Sequence, residues 1–275
     1  MMLVDGRLRD TISAADRGLH FGDGVFETIA IEDGRALCLA RHLQRLATGC
    51  ARLGISAPAI TTLESECARL EQGVTLGVLK IIVTRGSSGR GYAPQPAATP
   101  TRVVARYPWP DYPAVHRREG VAVRVCATRL GRNRSLAGLK HLNRLEQVLA
   151  RAECDPGQCP EGLMLDDAQN VIEGTMSNVF ARHGDRLSTP DLRECGVAGI
   201  MRDLVLETAD GLPGTRIDVT PLRVEDLQTA DECFLTNSLI GIWPIHSLHG
   251  KHLGVGPMAH ELQARLIEQG ATARE

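Results

Sequence analysis

Lysine is scarce in this sequence: Lys80, Lys140 and Lys251 stand alone among 31 basic residues. A lysine does covalent chemistry as an uncharged amine, so its setting decides whether it can act. Lys140 lies in Gly138-Leu139-Lys140-His141-Leu142-Asn143-Arg144-Leu145-Glu146-Gln147-Val148-Leu149-Ala150-Arg151, where apolar residues at 142, 145, 148 and 149 have the spacing of one helix face. That spacing predicts a helix with Lys140 at its mouth, where the backbone dipole disfavours a cation. Such a placement suits a nucleophilic amine or a general base. Lys80 interrupts the apolar run 78–83. It either lies on an exposed face or meets an anionic partner, because burying an ammonium alone is costly. Lys251, in a polar stretch rich in Gly and His, is the weakest of the three.

Other segments carry complementary chemistry. Glu173 sits between apolar neighbours in Val171-Ile172-Glu173-Gly174, so its carboxylate is either a structural ion pair or a site residue. Gly196-Val197-Ala198-Gly199-Ile200-Met201 leads into a helix that runs to Thr208, and a glycine-flanked helix start is an anion site through its backbone amides. Arg85-Gly86-Ser87-Ser88-Gly89-Arg90-Gly91-Tyr92 lacks the order of a phosphate-binding P-loop. It is either a cationic lip for a carboxylate or a surface hairpin. Arg45 is a solvated arginine or one turned toward an anion.

The elements that must position these groups alternate between strands and helices. Strands are expected over 25–31, 78–83, 101–105 and 121–125, and helices over 39–53 and 60–70, the first with Leu39, Leu43, Leu46, Cys50 and Leu53 on one side. The glycines of 16–24 read as a tight connection into a strand. A strand over 231–239 ends in Asn237 and Ser238, and a surface helix is expected over 258–267. Three prolines in 108–113 mark an extended linker. The expected division is an N-terminal domain 1–107, a linker 108–118 and a C-terminal domain 119–275.

Composition narrows the function. A net charge of −2 with 3% aromatic residues gives no support for nucleic-acid or membrane-surface binding. The first residues include Asp5 and Arg7 where a signal peptide needs an apolar run. The eight cysteines contain no Cys-x-x-Cys pair and read as reduced thiols of a cytoplasmic protein, with no metal site, even at Cys154 and Cys159 around Pro156.

Taken in order, Phe21-Gly22-Asp23-Gly24-Val25-Phe26, the 85–92 loop, Arg129-Leu130-Gly131-Arg132-Asn133 and the 138–151 segment resemble the fold-type IV pyridoxal-phosphate enzymes. That group contains branched-chain and D-amino acid transaminases and aminodeoxychorismate lyase, the lyase members being the nearest match. The resemblance runs from about Val4 to Pro244. It implies an α/β (α+β) fold of a small N-terminal α/β domain and a larger C-terminal α/β pseudo-barrel domain carrying the reactive lysine. It also implies a homodimer with pyridoxal 5'-phosphate near the domain junction. By the resemblance Lys140 is the Schiff-base lysine and general base, and Glu173 pairs with the pyridine nitrogen. Arg45, the amides of Ile200 and Met201 and the Ser238 hydroxyl hold the phosphate. Thr28 lies beside the reactive lysine, and Lys80, Arg90 and Asn237 meet substrate carboxylates. The implied reaction turns 4-amino-4-deoxychorismate, which bears two carboxylates, into 4-aminobenzoate and pyruvate in folate biosynthesis. The alternatives are D-amino acid or branched-chain transamination on the same cofactor, or a cofactor-free binding protein that retains the fold. A branched-chain transaminase needs an apolar side-chain pocket, which Lys80 and Arg90 would spoil.

Overall fold

The computed structural model describes every residue except 96, 97, 156, 158 and 275, so Pro156 lies outside the described residues. The architecture is mixed α/β, as the resemblance implies. The chain groups into two compact units, Met1–Pro110 with Leu139–Asn143, and Asp111–Gly138 with Arg144–Glu275.

In the first unit the elements are β1 (Met2–Val4), β2 (Arg7–Leu8), α1 (Arg17–Phe21), β3 (Gly24–Glu32), β4 (Arg35–Ala36), α2 (Leu39–Leu53), α3 (Ile60–Glu71), β5 (Leu76–Thr84) and β6 (Thr101–Pro108). The strands form an antiparallel sheet in the order β2-β1-β6-β5-β3-β4. Successive side chains on a strand point to opposite faces. Ile29, Ile31, Leu79, Ile81, Val83 and Val104 share one face and are buried with Leu43, Leu46 and Cys50 of α2 and Leu63, Cys67 and Leu70 of α3. Lys80 has the opposite phase and shares the other face with Phe26 and Thr28, which explains how it interrupts the apolar run without being buried in the core.

Two local expectations are corrected in this unit. The glycine-rich connection contains α1, because the Asp16 side chain accepts from the Gly18 amide and caps a helical turn that ends at Gly22. The segment around Lys140 is not a helix mouth. Its backbone pairs with β3: the Phe26 amide donates to the Lys140 carbonyl at 3.0 Å and the Leu142 amide to the Gly24 carbonyl at 3.0 Å. β4 covers β3 only at Ile31 and Glu32, so this strip closes the open edge beside Val25. With those groups committed to β-type bonds, the expected helix starts only at Leu145. The Lys140 segment, expected in the C-terminal domain, groups with the first unit for the same reason.

The second unit runs through α4 (Val115–Glu119), β7 (Val121–Leu130), α5 (Leu145–Ala152), β8 (Glu161–Asp166), β9 (Val171–Gly174), β10 (Asn178–His183), β11 (Arg186–Thr189), α6 (Ile200–Asp210), β12 (Arg216–Val219), α7 (Val224–Gln228), β13 (Glu232–Asn237), β14 (Gly241–Leu248), β15 (Lys251–His252) and α8 (Pro257–Glu268). Its sheet has the order β12-β11-β10-β13-β14-β7-β8-β9, with β15 on β14. β9 also packs against β10, so the sheet curls into a half-barrel. Val123, Leu163, Leu165, Val179, Leu235 and Ile245 fill its interior. Glu161 is buried in β8 and holds the turn after β9, accepting from the amides of Thr175 and Met176 and the hydroxyls of Thr175 and Ser177. That turn fixes the end of the strand carrying Glu173. No helix among the described residues is long and apolar enough to cross a membrane.

Candidate active site

The first unit gathers two of the three lysines around one ring. Lys140 Nζ lies 4.6 Å from the centroid of Phe26, and Lys80 Nζ lies 5.4 Å from the same centroid. Both distances are in the range where a cation is attracted to an aromatic face. Thr28 stands directly opposite Lys80 in the β3–β5 register. All four residues are half-buried. Arg90 lies exposed on the β5–β6 loop, and Lys251 is exposed in β15.

Behind that face, Glu27 points toward α2 and is 1% exposed. Arg45 grips its carboxylate with Nε at 2.8 Å and Nη2 at 2.5 Å, and His42 Nδ1 lies 2.7 Å from Oε2. Burial pushes the Glu27 carboxyl up, but the hydrogen bonds from His42 and Arg45 outweigh it and hold the group below the usual carboxylate range. Burial pushes His42 down more than Glu27 raises it. The net effect on His42 is a lowered affinity for a proton, while its Nδ1 stays within hydrogen-bond distance of the Glu27 carboxylate. Arg45 is not a solvated surface arginine: Glu27 orients its guanidinium in a two-pronged grip.

The second unit holds the other candidates. Glu173 is 4% exposed. Its Oε1 accepts from Gln147 Nε2 at 3.3 Å, and its Oε2 accepts from the Val197 amide at 2.8 Å. Both donors favour the ionised form. Arg144, at the start of α5, has its guanidinium pushed down by burial and raised by Glu173 and Glu146.

α6 starts at Ile200 after Gly199, and no side chain caps that end. The first-turn amides of a helix have no intrahelical acceptor and carry the positive end of the dipole, so they favour an anion. A Cβ on Gly199 would fall 2.1 Å from Asn178 Oδ1, so only glycine permits this close approach. Asn178 also donates to the Val197 carbonyl at 2.9 Å, which ties the helix entry to the residue that holds Glu173. In the β13–β14 turn beside Ser238, Asn237 accepts from the amides of Leu239 and Ile240 at 2.8 and 3.0 Å and donates to the Met176 carbonyl at 3.1 Å. Much of its side chain shapes the turn itself.

The donor set fits pyridoxal phosphate: a buried carboxyl group that can meet a ring nitrogen, and an uncapped helix start for a phosphate. Sequence reasoning missed Phe26 and Glu27 in the first unit and Gln147 and Asn178 in the second. Their partners are distant in sequence or on a neighbouring strand, and no spacing rule reports that. The Arg132 of the 129–133 motif turns out to pair with Asp166 at 2.8 Å, a bond that anchors the end of β8.

Comparison with known proteins agrees with the geometry. The amino-transferase class IV family matches residues 24–248. The chain is 33% identical to an aminodeoxychorismate lyase from Vibrio harveyi, over 97% of this chain and 99% of that protein. It is 31% identical to a putative branched-chain-amino-acid aminotransferase from Methanocaldococcus jannaschii, over 92% and 89% respectively. Among solved structures, a 4-amino-4-deoxychorismate lyase from Pseudomonas aeruginosa matches with a TM-score of 0.94 and 45% identity, covering 98% of this chain and 100% of the other.

Proposed function

Since the chain belongs to the amino-transferase class IV family, we propose that it is a cytoplasmic lyase converting 4-amino-4-deoxychorismate into 4-aminobenzoate and pyruvate, a step of folate biosynthesis. Its cofactor is pyridoxal 5'-phosphate. The observation that carries the reading is Lys80, whose ammonium shares the Phe26 ring with Lys140. A cation there suits a substrate with two carboxylates and spoils an apolar side-chain pocket. The lyase relatives point the same way.

When bound, pyridoxal phosphate supplies an electron sink for the carbon next to the substrate amine. Lys140 would hold the cofactor and, once the substrate amine has displaced it, its freed amine would take the proton from the amine-bearing ring carbon. Glu173, which accepts from Gln147 and the Val197 amide, would keep a proton on the pyridine nitrogen. Arg45, the amides of Ile200 and Met201 and the Ser238 hydroxyl hold the phosphate. Lys80 and Arg90 bind the substrate carboxylates, with Asn237 contributing an amide N–H besides the one given to Met176. Thr28 lies opposite Lys80 and orients the amine end. As the proton leaves, the C–O bond to the neighbouring enolpyruvyl group breaks and the ring becomes aromatic. The departing enolpyruvate takes up a proton to become pyruvate.

A homodimer is part of this reading. Leu145, Val148 and Leu149 leave an apolar stripe on α5 exposed at 76%, 60% and 60%, a surface that a second copy would cover. Light scattering of the purified protein tests it, and a monomer would remove it.

The decisive assay supplies pyridoxal phosphate and 4-amino-4-deoxychorismate and follows both products, with D-alanine plus 2-oxoglutarate in parallel. Equal amounts of 4-aminobenzoate and pyruvate are expected. D-alanine turnover without an aromatic product would instead make the chain a D-amino acid transaminase. Lys140→Ala should abolish turnover in either case.

A further inference from the structure

The Arg17 side chain is 5% exposed, and four hydrogen bonds account for its guanidinium. Nε donates to Asp23 Oδ2 at 2.8 Å. Nη1 donates to Ser88 Oγ at 3.3 Å and to the Gly91 carbonyl at 2.9 Å, and Nη2 donates to the Tyr92 carbonyl at 2.8 Å. Three of the four partners belong to the β5–β6 loop, on both sides of Arg90. Backbone bonds secure the loop's base: the Arg17 amide donates to the Gly86 carbonyl at 2.9 Å and the Ser88 amide to the Ala15 carbonyl at 3.4 Å. Phe21 adds a ring contact to Tyr92 at 5.4 Å, and Arg17 lies 4.8 Å over Phe21.

Asp23 sets the orientation of the clamp. It takes Arg17 on Oδ2 and Arg85 on both oxygens, at 2.8 and 3.1 Å, while Arg85 also donates to the carbonyls of Leu53 and Gly54. The guanidinium that grips the loop is thus fixed to the end of α2. A loop with glycines at 86, 89 and 91 would otherwise sample many conformations. The planar fork of arginine takes carbonyls at fixed angles, which a lysine cannot do.

We propose that Arg17 is a positioning residue for the substrate site: its buried fork holds the loop on either side of Arg90 and presents that exposed guanidinium in one place. The proposal rests on the reading of Arg90 as a substrate-carboxylate contact. Arg17 itself touches no substrate. It spares Arg90 the entropy of ordering on each binding event.

The test is a double-mutant cycle on the pyridoxal-phosphate-loaded enzyme with 4-amino-4-deoxychorismate. Arg17→Lys should raise KM about tenfold, Arg90→Ala should raise it at least as much, and the double variant should be no worse than Arg90→Ala alone. Cofactor absorbance should match the wild type in all three. Trypsin should cut after Arg90 several-fold faster in Arg17→Lys than in wild type. A KM effect that multiplies in the double variant overturns the proposal, as does an unaltered KM or cleavage rate in Arg17→Lys. An Arg90→Ala variant with wild-type KM removes the reading of Arg90 and this proposal with it, whereas multiplicative effects remove only the proposal.

Should Arg17→Lys fail to fold, Gly91→Ala carries the same cycle. Gly91 has a φ of +95° with open space around it, so the methyl strains the loop without touching the guanidinium. Its KM should rise, and the rise should vanish when Arg90 is absent. A wild-type KM in Gly91→Ala overturns the proposal.

Discussion

Glu173 was visible in the sequence as an acid among apolar residues, and its burial shows why such a residue draws notice. Gln147 was not visible, because it stood in a helical pattern as one more polar side chain, and its partner lies 26 positions away. The two have separable roles. Glu173→Gln removes the charge proposed to keep a proton on the ring nitrogen, and turnover should fall about 10²–10⁴-fold. Gln147→Leu removes one donor to an ionised group, a loss of roughly 1.5–3 kcal/mol at most, so a drop of about ten- to a hundredfold is the ceiling. Rates of 4-aminobenzoate release at saturating substrate, with bound cofactor counted by absorbance, check both. A larger loss in the glutamine variant than in the glutamate variant would contradict this order.

Helices α2, α3, α6 and α8 were readable because an apolar face repeats along each, and in all four that face is buried. α5 shows how the same rule goes astray. Its apolar residues have helical spacing, yet Leu145, Val148 and Leu149 are exposed, and Ala150 is the only buried residue of the helix. Periodicity reports a helix but not what it faces, and it cannot see that the residues before Leu145 are claimed by β3. The start of α6 was readable from its glycines, although the reason lies in Asn178. Gly199→Ala drives a methyl into that side chain and displaces the helix entry. Since a helix terminus contributes up to about 2 kcal/mol to a partly buried anion, pyridoxal phosphate affinity should fall about tenfold. Fluorescence titration of the cofactor measures it, and wild-type affinity would show that the first-turn amides do not hold the phosphate.

For the molecule as a whole, the group of Glu27, His42 and Arg45 makes stability depend on pH. His42 is pushed below its ordinary 6.5, so the unfolded chain takes up a proton that the folded chain refuses. Its contribution is present above 6.5 and is lost as pH falls from there toward the folded value. Glu27 is held below its ordinary 4.5, so its contribution is present above 4.5 and is lost as pH falls through its folded value. Urea midpoints should therefore decline in two stages on acidification, each proton adding a slope of about 1.4 kcal/mol per pH unit. His42→Asn should shrink the first stage, to which His116, also pushed down by burial, still contributes. The Lys140 strip has a different consequence, one for the timing of synthesis. When Pro110 leaves the ribosome, the amide of Phe26 and the carbonyl of Gly24 still lack the partners supplied by Lys140 and Leu142. The first unit is completed only after Asn143 has emerged. Every nascent chain in which that unit has reached its final form already carries the amine on which the proposed chemistry depends.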